Sequence, residues 1–377
     1  MSHLAPETRV LVTGASGLVG SHAVKLLAER GYKVRAMLRA TSDPKWKALF
    51  ESLNCEVVVA DLLKADQLDA VCAGCDAVVH AGAIVAAHGN PSDFYRVNVS
   101  GTENILNAAS RTGVRHFVHI SSLSVITGHG DKVGADENTP LMYSNEPYAN
   151  SKVDAEKFVG NAHACGLIQA TCLRPGFIYG PEERTWLPRL ITSLSEGNAW
   201  LVDGGARETN VIYVENLCRA IASALLNPKT YGQVYNLTDG ERVSKRQLCD
   251  TVCDALGVRR VKRSMPRPMA FLLTEFVSLI APILPKALRA KFGRFSRGAY
   301  RLVAVNQGFD ISKAERELGY TERISFVDGM KQTLSDLELS RRQITSMRQT
   351  GTGPLAAGIF DPNYHQTWTE HMAQRIE

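Results

Sequence analysis

Thr13-Gly14-Ala15-Ser16-Gly17-Leu18-Val19-Gly20 stands directly after an apolar run, Arg9–Thr13, and opens a stretch of helical spacing, Leu18–Glu29. A strand, a glycine-rich turn and a helix in that order make a cradle for an anion. Gly14 permits the tight turn, Gly17 lets a pyrophosphate approach the backbone, and Gly20 lets helix and strand pack closely. The free N–H groups of the helix start, with Ser16, Leu18 and Val19 around them, face the anion. Glycine-rich spellings are common; the flanking strand and helix give this one its meaning, which is dinucleotide binding.

Working outward, short apolar runs at Lys33–Leu38, Glu56–Ala60, Ala77–His80, His116–Ile120 and Gln169–Leu173 alternate with helical patterns at Tyr95–Arg111 and Tyr148–Ala164. That alternation predicts βαβ units and a parallel sheet covered on both faces, a Rossmann-type doubly wound α/β fold. The second half loses the rhythm and keeps short strands near Val211–Val214 and Val234–Leu237. The expected organisation is a dinucleotide-binding domain over 1–184 and a smaller C-terminal substrate lobe over 185–340, sharing part of the sheet and helices. A polar tail over 341–377 follows, either a docking arm or loosely ordered.

The second apolar run ends at Leu38 and is followed by Arg39, where an acidic side chain would bind the ribose hydroxyls of NAD. A guanidinium there suits a 2′-phosphate, which it clamps with two parallel hydrogen bonds. Thr41, Ser42 and Lys45 are placed to assist. The expectation is NADP(H), with NAD(H) as the alternative. Asp61-Leu62, after the third run, fits an adenine-edge contact.

Tyr148 and Lys152 lie four apart in a helical pattern and so share a face. An unperturbed tyrosine titrates near ~10; a nearby ammonium, together with an oxidised nicotinamide, would lower that value and make the phenol a usable acid or base. Ser121-Ser122 closes the fifth run just upstream, and no Cys/His spacing suggests a metal site.

Together these features resemble the extended short-chain dehydrogenase/reductase superfamily over about residues 8–335. The resemblance rests on the glycine turn, His80-Ala81-Gly82-Ala83, Asn98 in Val97–Thr102, Ser122 before Leu123-Ser124-Val125, and the Tyr148/Lys152 pair. Arg174-Pro175-Gly176-Phe177-Ile178-Tyr179-Gly180-Pro181 and Tyr213–Asn216 extend it. It implies that Ser122 hydrogen-bonds the reacting oxygen, that Tyr148 exchanges its proton, and that Lys152 lowers the Tyr148 pKa and holds the nicotinamide ribose. Asn98 would support the helix or a proton relay, unless it merely holds a turn. Ala81, Gly82, Ala83, Pro175 and Ile178 would line the cofactor. Ser124 is the rival for the serine role, and its spacing from Val125 favours Ser122. The loop Val125-Ile126-Thr127-Gly128 is one residue longer than the usual pattern, so the substrate side is expected to differ. Relatives commonly pair as homodimers through helices like 95–111 and 148–164.

For the substrate the second half speaks. Met269–Leu284 is almost continuously apolar, yet too short and interrupted for a bilayer span of ~20 residues. Basic residues flank it: Arg259, Arg260, Lys262, Arg263 and Arg267 before, then Lys286, Arg289, Lys291, Arg294, Arg297 and Arg301 with no acid among them. This suits either peripheral contact of 259–301 with an anionic membrane or a core helix or lid with a solvated basic face. With Phe309–Ala314 and Leu318-Gly319-Tyr320 it resembles the branch of 3β-hydroxysteroid dehydrogenases, sterol-4-carboxylate dehydrogenases and long-chain β-keto acid reductases. An apolar sterol, steroid or long-chain lipid is therefore the expected substrate. The alternatives are a nucleotide-sugar epimerase or dehydratase, a dihydroflavonol- or aldehyde-type reductase, and, from another class, a non-catalytic dinucleotide sensor.

Composition frames this reading. The 377 residues are 45% hydrophobic and 21% charged with a net charge of +5, which is the balance of an ordinary soluble globular protein. Nothing points to nucleic acid. The polar leader running into a strand by Val10 predicts no secretory signal and a cytoplasmic protein, with or without peripheral membrane contact. The eight cysteines read as thiols, and Cys72-x-x-Cys75 lacks the strand-to-helix setting of a redox pair.

Overall fold

Val10, Leu11 and Val12 in strand β1 (Arg9–Thr13) are fully buried and face alternately into two different apolar cores. This is why the strand reads as a continuous apolar run: a parallel strand covered on both sides has no polar face. The computed structural model describes residues 8–85, 90–128, 130–280 and 297–336.

The strands after β1 are β2 (Lys33–Leu38), β3 (Glu56–Val59), β4 (Ala77–His80), β5 (His116–Ile120), β6 (Lys132–Ala135), β7 (Gln169–Pro175), β8 (Phe177–Tyr179), β9 (Leu201–Val202), β10 (Val211–Tyr213), β11 (Val234–Leu237), β12 (Ser264–Met265) and β13 (Gln307–Phe309). Seven make one parallel sheet in the order β11-β7-β5-β4-β1-β2-β3, the doubly wound arrangement. The rest pair in twos: β10 with β8, β12 with β9, and β13 with β6.

The helices are α1 (Leu18–Glu29), α2 (Pro44–Ser52), α3 (Ala65–Cys72), α4 (Pro91–Phe94), α5 (Gly101–Arg111), α6 (Ser124–Thr127), α7 (Pro147–Ala164), α8 (Leu187–Ser195), α9 (Val214–Ala224), α10 (Lys245–Leu256), α11 (Arg267–Ile280), α12 (Arg297–Ala304), α13 (Ser312–Leu318) and α14 (Phe326–Asp336). One face of the sheet carries Val24 and Leu27 of α1 with Leu217 and Ile221 of α9; the other carries Leu68 of α3, Ile105 of α5 and Val159 of α7.

Three boundaries differ from the sequence reading. The helix expected over Tyr95–Arg111 is α4, a π-helical turn over Tyr95–Ser100 and then α5. Strand β7 runs two residues past Leu173, and β3 stops at Val59. The seventh strand, β11, comes from beyond residue 184, so the second half completes the sheet. Asn216 fastens the later chain to it by exchanging two hydrogen bonds, each 2.9 Å, with the backbone of Ile324. The chain order reverses between β1 and β4, and in a doubly wound sheet the ligand crevice opens above the strand ends at such a switch point.

Candidate active site

The glycine turn closes one side of that crevice. Gly14 has φ +64°, and a Cβ there would lie 2.7 Å from the Gly82 Cα. A Cβ on Gly20 would come within 2.1 Å of the Gly14 carbonyl oxygen. The backbones of β1, α1 and the segment after β4 therefore meet with no room for side chains. The first turn of α1 has backbone N–H groups with no intrahelical acceptor, so this cradle fits the pyrophosphate of a dinucleotide. Thr13 locks it to β4: its hydroxyl bonds His80 Nδ1 at 2.8 Å and accepts from the Gly82 N–H at 3.3 Å. His80 Nε2 meets the Thr102 hydroxyl at 2.9 Å, and burial pulls the imidazole down to about 3, so it serves as a neutral relay of hydrogen bonds.

Arg39 is exposed at the end of β2, and its N–H donates to the Ser42 hydroxyl, which lies 3.5 Å from that of Ser16. Ser16, Arg39 and Ser42 thus cluster on one rim. The Asp61 carboxylate caps its own turn by accepting from the Leu63 N–H, and the Leu62 carbonyl accepts from Asn104. Leu62 also packs over Gly82, whose added Cβ would meet it at 2.8 Å. Ala81 and Ala83 flank that glycine on the same loop, while Pro175 and Ile178 end β7 and sit in β8 across the sheet.

On α7, Pro147 occupies the first helical position, where its missing N–H costs nothing. Tyr148 follows. Ser122 hydrogen-bonds the Tyr148 phenol, which burial nevertheless pushes up to about 12. The Lys152 ammonium donates to the Ile120 carbonyl at 2.7 Å, and burial pulls it down to about 8. The structure thus brings Ser122, Tyr148 and Lys152 to one end of β5. In the cofactor-free protein desolvation dominates at the phenol, and the lysine is anchored on the Ile120 carbonyl. Ser124, the other serine considered, donates its N–H to Ser122 Oγ at 3.1 Å, while its own hydroxyl is buried without a hydrogen-bond partner.

Asn98 sits in the π-helical turn, 1% exposed. Its amide accepts from the Ile84 N–H at 2.8 Å and donates to the Ile84 carbonyl and to Ser151 Oγ, at 3.1 and 3.0 Å. Ser151 in turn donates to the Tyr148 carbonyl at 2.7 Å. Asn98 therefore ties the loop after β4 to α7.

Sequence reasoning missed the layer beneath. Arg174 of β7 and Glu156 of α7 form a buried ion pair at 2.5 Å, and Ser121 Oγ donates to the same carboxylate at 2.5 Å. Glu156 follows Tyr148 and Lys152 by further turns of one helix face, a spacing that marks its position but not its burial or its partner on β7.

Farther out, the apolar segment forms α11, with Met269, Phe271, Leu272, Phe276 (60%) and Leu279 (79%) exposed. The basic flank is less free than the sequence implied. Arg260 pairs with Asp254, Arg267 with Asp131, Arg297 with Glu275, and Arg301 with Glu146. Lys286, Arg289, Lys291 and Arg294, with Ala281–Leu284 and the tail 341–377, lie outside the described residues. Among the described residues no helix is long and apolar enough to cross a membrane. Cys72 and Cys75 are buried free thiols raised by desolvation, the former to about 12.

The pattern of the NAD dependent epimerase/dehydratase family matches residues 10–238. A 4-hydroxy-2-methyl-3-oxo-4-farnesyl-3,4-dihydroquinoline-1-oxide ketoreductase of Stigmatella aurantiaca is 30% identical over 85% of this chain and 94% of its own. A 3β-hydroxysteroid dehydrogenase/Δ5→4-isomerase of Mycobacterium tuberculosis is 34% identical over 83% of this chain and 85% of its own. Among solved structures, the dTDP-glucose 4,6-dehydratase DesIV of Streptomyces venezuelae, with NAD bound, superposes with a TM-score of 0.71 at 26% identity. That match covers 89% of this chain and 98% of the other.

Proposed function

The chain belongs to the NAD dependent epimerase/dehydratase family and is a dinucleotide-dependent oxidoreductase acting on hydroxyl or keto groups; we propose that it uses NADP(H) to interconvert a secondary alcohol and a ketone on an apolar sterol, steroid or long-chain β-keto lipid. One observation carries the substrate class. Arg301 of α12 is paired at 2.8 Å with Glu146, two residues before Tyr148, and Phe271 of α11 packs edge-on against Tyr300 of α12 with centroids 5.8 Å apart. The apolar α11 and the amphipathic α12 are thereby fastened beside the start of α7. An apolar substrate reaching this face would gain about 25 cal/mol per Å² of hydrocarbon buried, a reward that a sugar diphosphate would not share. The two relatives, named for a farnesylated ketone and a steroid, support the reading.

A bound nicotinamide supplies or accepts the hydride. The glycine turn and α1 hold the pyrophosphate, and Arg39 with Ser16 and Ser42 receives the 2′-phosphate. Ser122 orients the substrate oxygen against Tyr148. The phenol is protonated at neutral pH in the cofactor-free protein, and in reduction it gives its proton to the ketone oxygen as the alcohol forms. In oxidation Tyr148 must take the hydroxyl proton, which requires the charge of Lys152 nearby.

The test is turnover of 3-ketosteroids and long-chain β-keto esters with NADPH, beside UDP- and dTDP-sugars without added cofactor. Reduction of an apolar ketone, absent in Tyr148→Phe, supports the proposal; sugar conversion with tightly held NAD overturns it in favour of the epimerase reading.

A further inference from the structure

Beneath the reacting groups lies a charge cluster that the proposed reaction does not yet use. Glu156 is 4% exposed, Arg174 4%, Lys152 5% and Ser121 2%. Arg174 approaches the carboxylate through two nitrogens: Nε lies 3.0 and 3.1 Å from its two oxygens and Nη2 lies 2.5 Å from one. Ser121 Oγ donates to the second oxygen. Lys152 stands one turn back on the same helix and spends a single hydrogen bond, on the Ile120 carbonyl. Arg174 is thus paired with the carboxylate directly, and Lys152, four residues from Glu156 on the same helix face, is the second buried cation beside it.

We propose that Glu156 is a positioning residue for the Tyr148–Lys152 centre: held between Arg174 and Ser121, its carboxylate is the counter-ion that keeps Lys152 charged in the core, and its hold on Ser121 fixes the turn from which Ser122 meets Tyr148. This rests on the reading that Tyr148 and Lys152 do the chemistry.

The geometry supports both halves. A buried ammonium with no opposite charge sheds its proton, and the other groups facing Lys152 do not supply one. Cys172 of β7 is a thiol raised well above its usual range by burial, and His80 and His119 are held neutral. Tyr148, one turn back, is protonated at neutral pH. Glu156 is the charge that opposes the desolvation of Lys152. Ser121 is also zipped to β7 through its N–H, 2.7 Å from the Leu173 carbonyl. Its neighbour Ser122 is thus held from two sides. A pair needed only for stability could be replaced by apolar side chains with little loss; here such a replacement would strip Lys152 of its partner.

The experiment follows the Lys152 ammonium by NMR titration of its side chain in the cofactor-free protein, with pH profiles of alcohol oxidation alongside. Glu156→Gln is compared with Glu156→Gln/Arg174→Gln, which removes the unpaired guanidinium so that the chain folds, and with Glu156→Asp, which keeps the charge. The expected result is a Lys152 midpoint lower by roughly one pH unit in both Gln variants. The oxidation profile should move to higher pH, with Glu156→Asp near wild type in midpoint. A double variant with wild-type midpoint and wild-type profile overturns the proposal, leaving Glu156 a stabilising partner of Arg174. Shifted Lys152 titration in a protein that turns over no ketone or alcohol keeps the counter-ion role and removes the assigned chemistry instead.

Discussion

Helices α7 and α11 carry opposite lessons. On α7 the proposed reacting groups lie on a buried face, and the groups around them are tied by hydrogen bonds of 2.5–3.1 Å to strands and loops on several sides. On α11 the outward face is bare hydrocarbon, with Phe276 and Leu279 largely in solvent. The first arrangement tolerates few side chains and so fixes a reaction. The second tolerates many and so fixes only a class of substrate, its apolarity. Enzymes of one fold diverge by the second kind of surface while keeping the first.

Substitutions can sharpen or break that contrast. The largest effect belongs to Tyr148→Phe. Removing the proton donor should cut kcat by ~10²–10⁴-fold while NADPH affinity, read by fluorescence titration, stays within a factor of a few; retained turnover would place the acid elsewhere. Arg39→Ala comes next. Loss of a charge-assisted hydrogen bond of about 1.5–3 kcal/mol should weaken NADPH roughly 10–100-fold and leave NADH unchanged. Equal losses for both cofactors would remove the phosphate clamp.

Lys152→Met probes the cost of burying a cation. Because the folded pKa, about 8, lies below the usual 10.5, the unfolded chain binds more protons between those values. The wild-type penalty is thus fully present below pH 8 and fades as pH rises toward 10.5. The variant should therefore be about 1–3 kcal/mol more stable than wild type at pH 7 and gain less than about 1 kcal/mol near pH 10, by denaturant titration at the two pH values. A pH-independent difference would mean that packing, not charge, decides it. The smallest effect is on α11, where Phe276→Ser with Leu279→Ser should change stability by no more than about 0.5 kcal/mol for each site. KM for apolar ketones should nevertheless rise, and an unchanged KM would detach this face from substrate capture.

What the sequence disclosed follows the same division. Strands Arg9–Thr13, Lys33–Leu38, Ala77–His80, His116–Ile120 and Val234–Leu237 were legible to the residue, since burial on both faces leaves an unbroken apolar run. Strands β6 and β13 were not: at four and three residues they exist only because Lys132 and Gln307 meet across the fold. Tyr148, Lys152 and Ser122 were legible from spacing along one helix and one strand end. The Glu156–Arg174 pair joins residues from separate elements, and a charge's burial is a tertiary fact that no local pattern records. The pairing of the basic flank of α11 was hidden for the same reason, as Asp131 and Glu146 reach it from elsewhere.

The late arrival of β11 in the sheet bears on how the chain is made. A nascent polypeptide reaching Pro175 would expose β7 as a bare edge, its row of unpaired N–H and C=O groups open to any passing strand. Roughly sixty residues must still be synthesised before Val234–Leu237 caps it through the register Val234 to Cys172. At translation rates of about 5–20 residues per second that interval lasts several seconds, when chaperone holding would matter most. Anyone grafting a new substrate lobe onto this scaffold inherits the same constraint: the graft must bring its own closing strand, or the sheet is left as an adhesive.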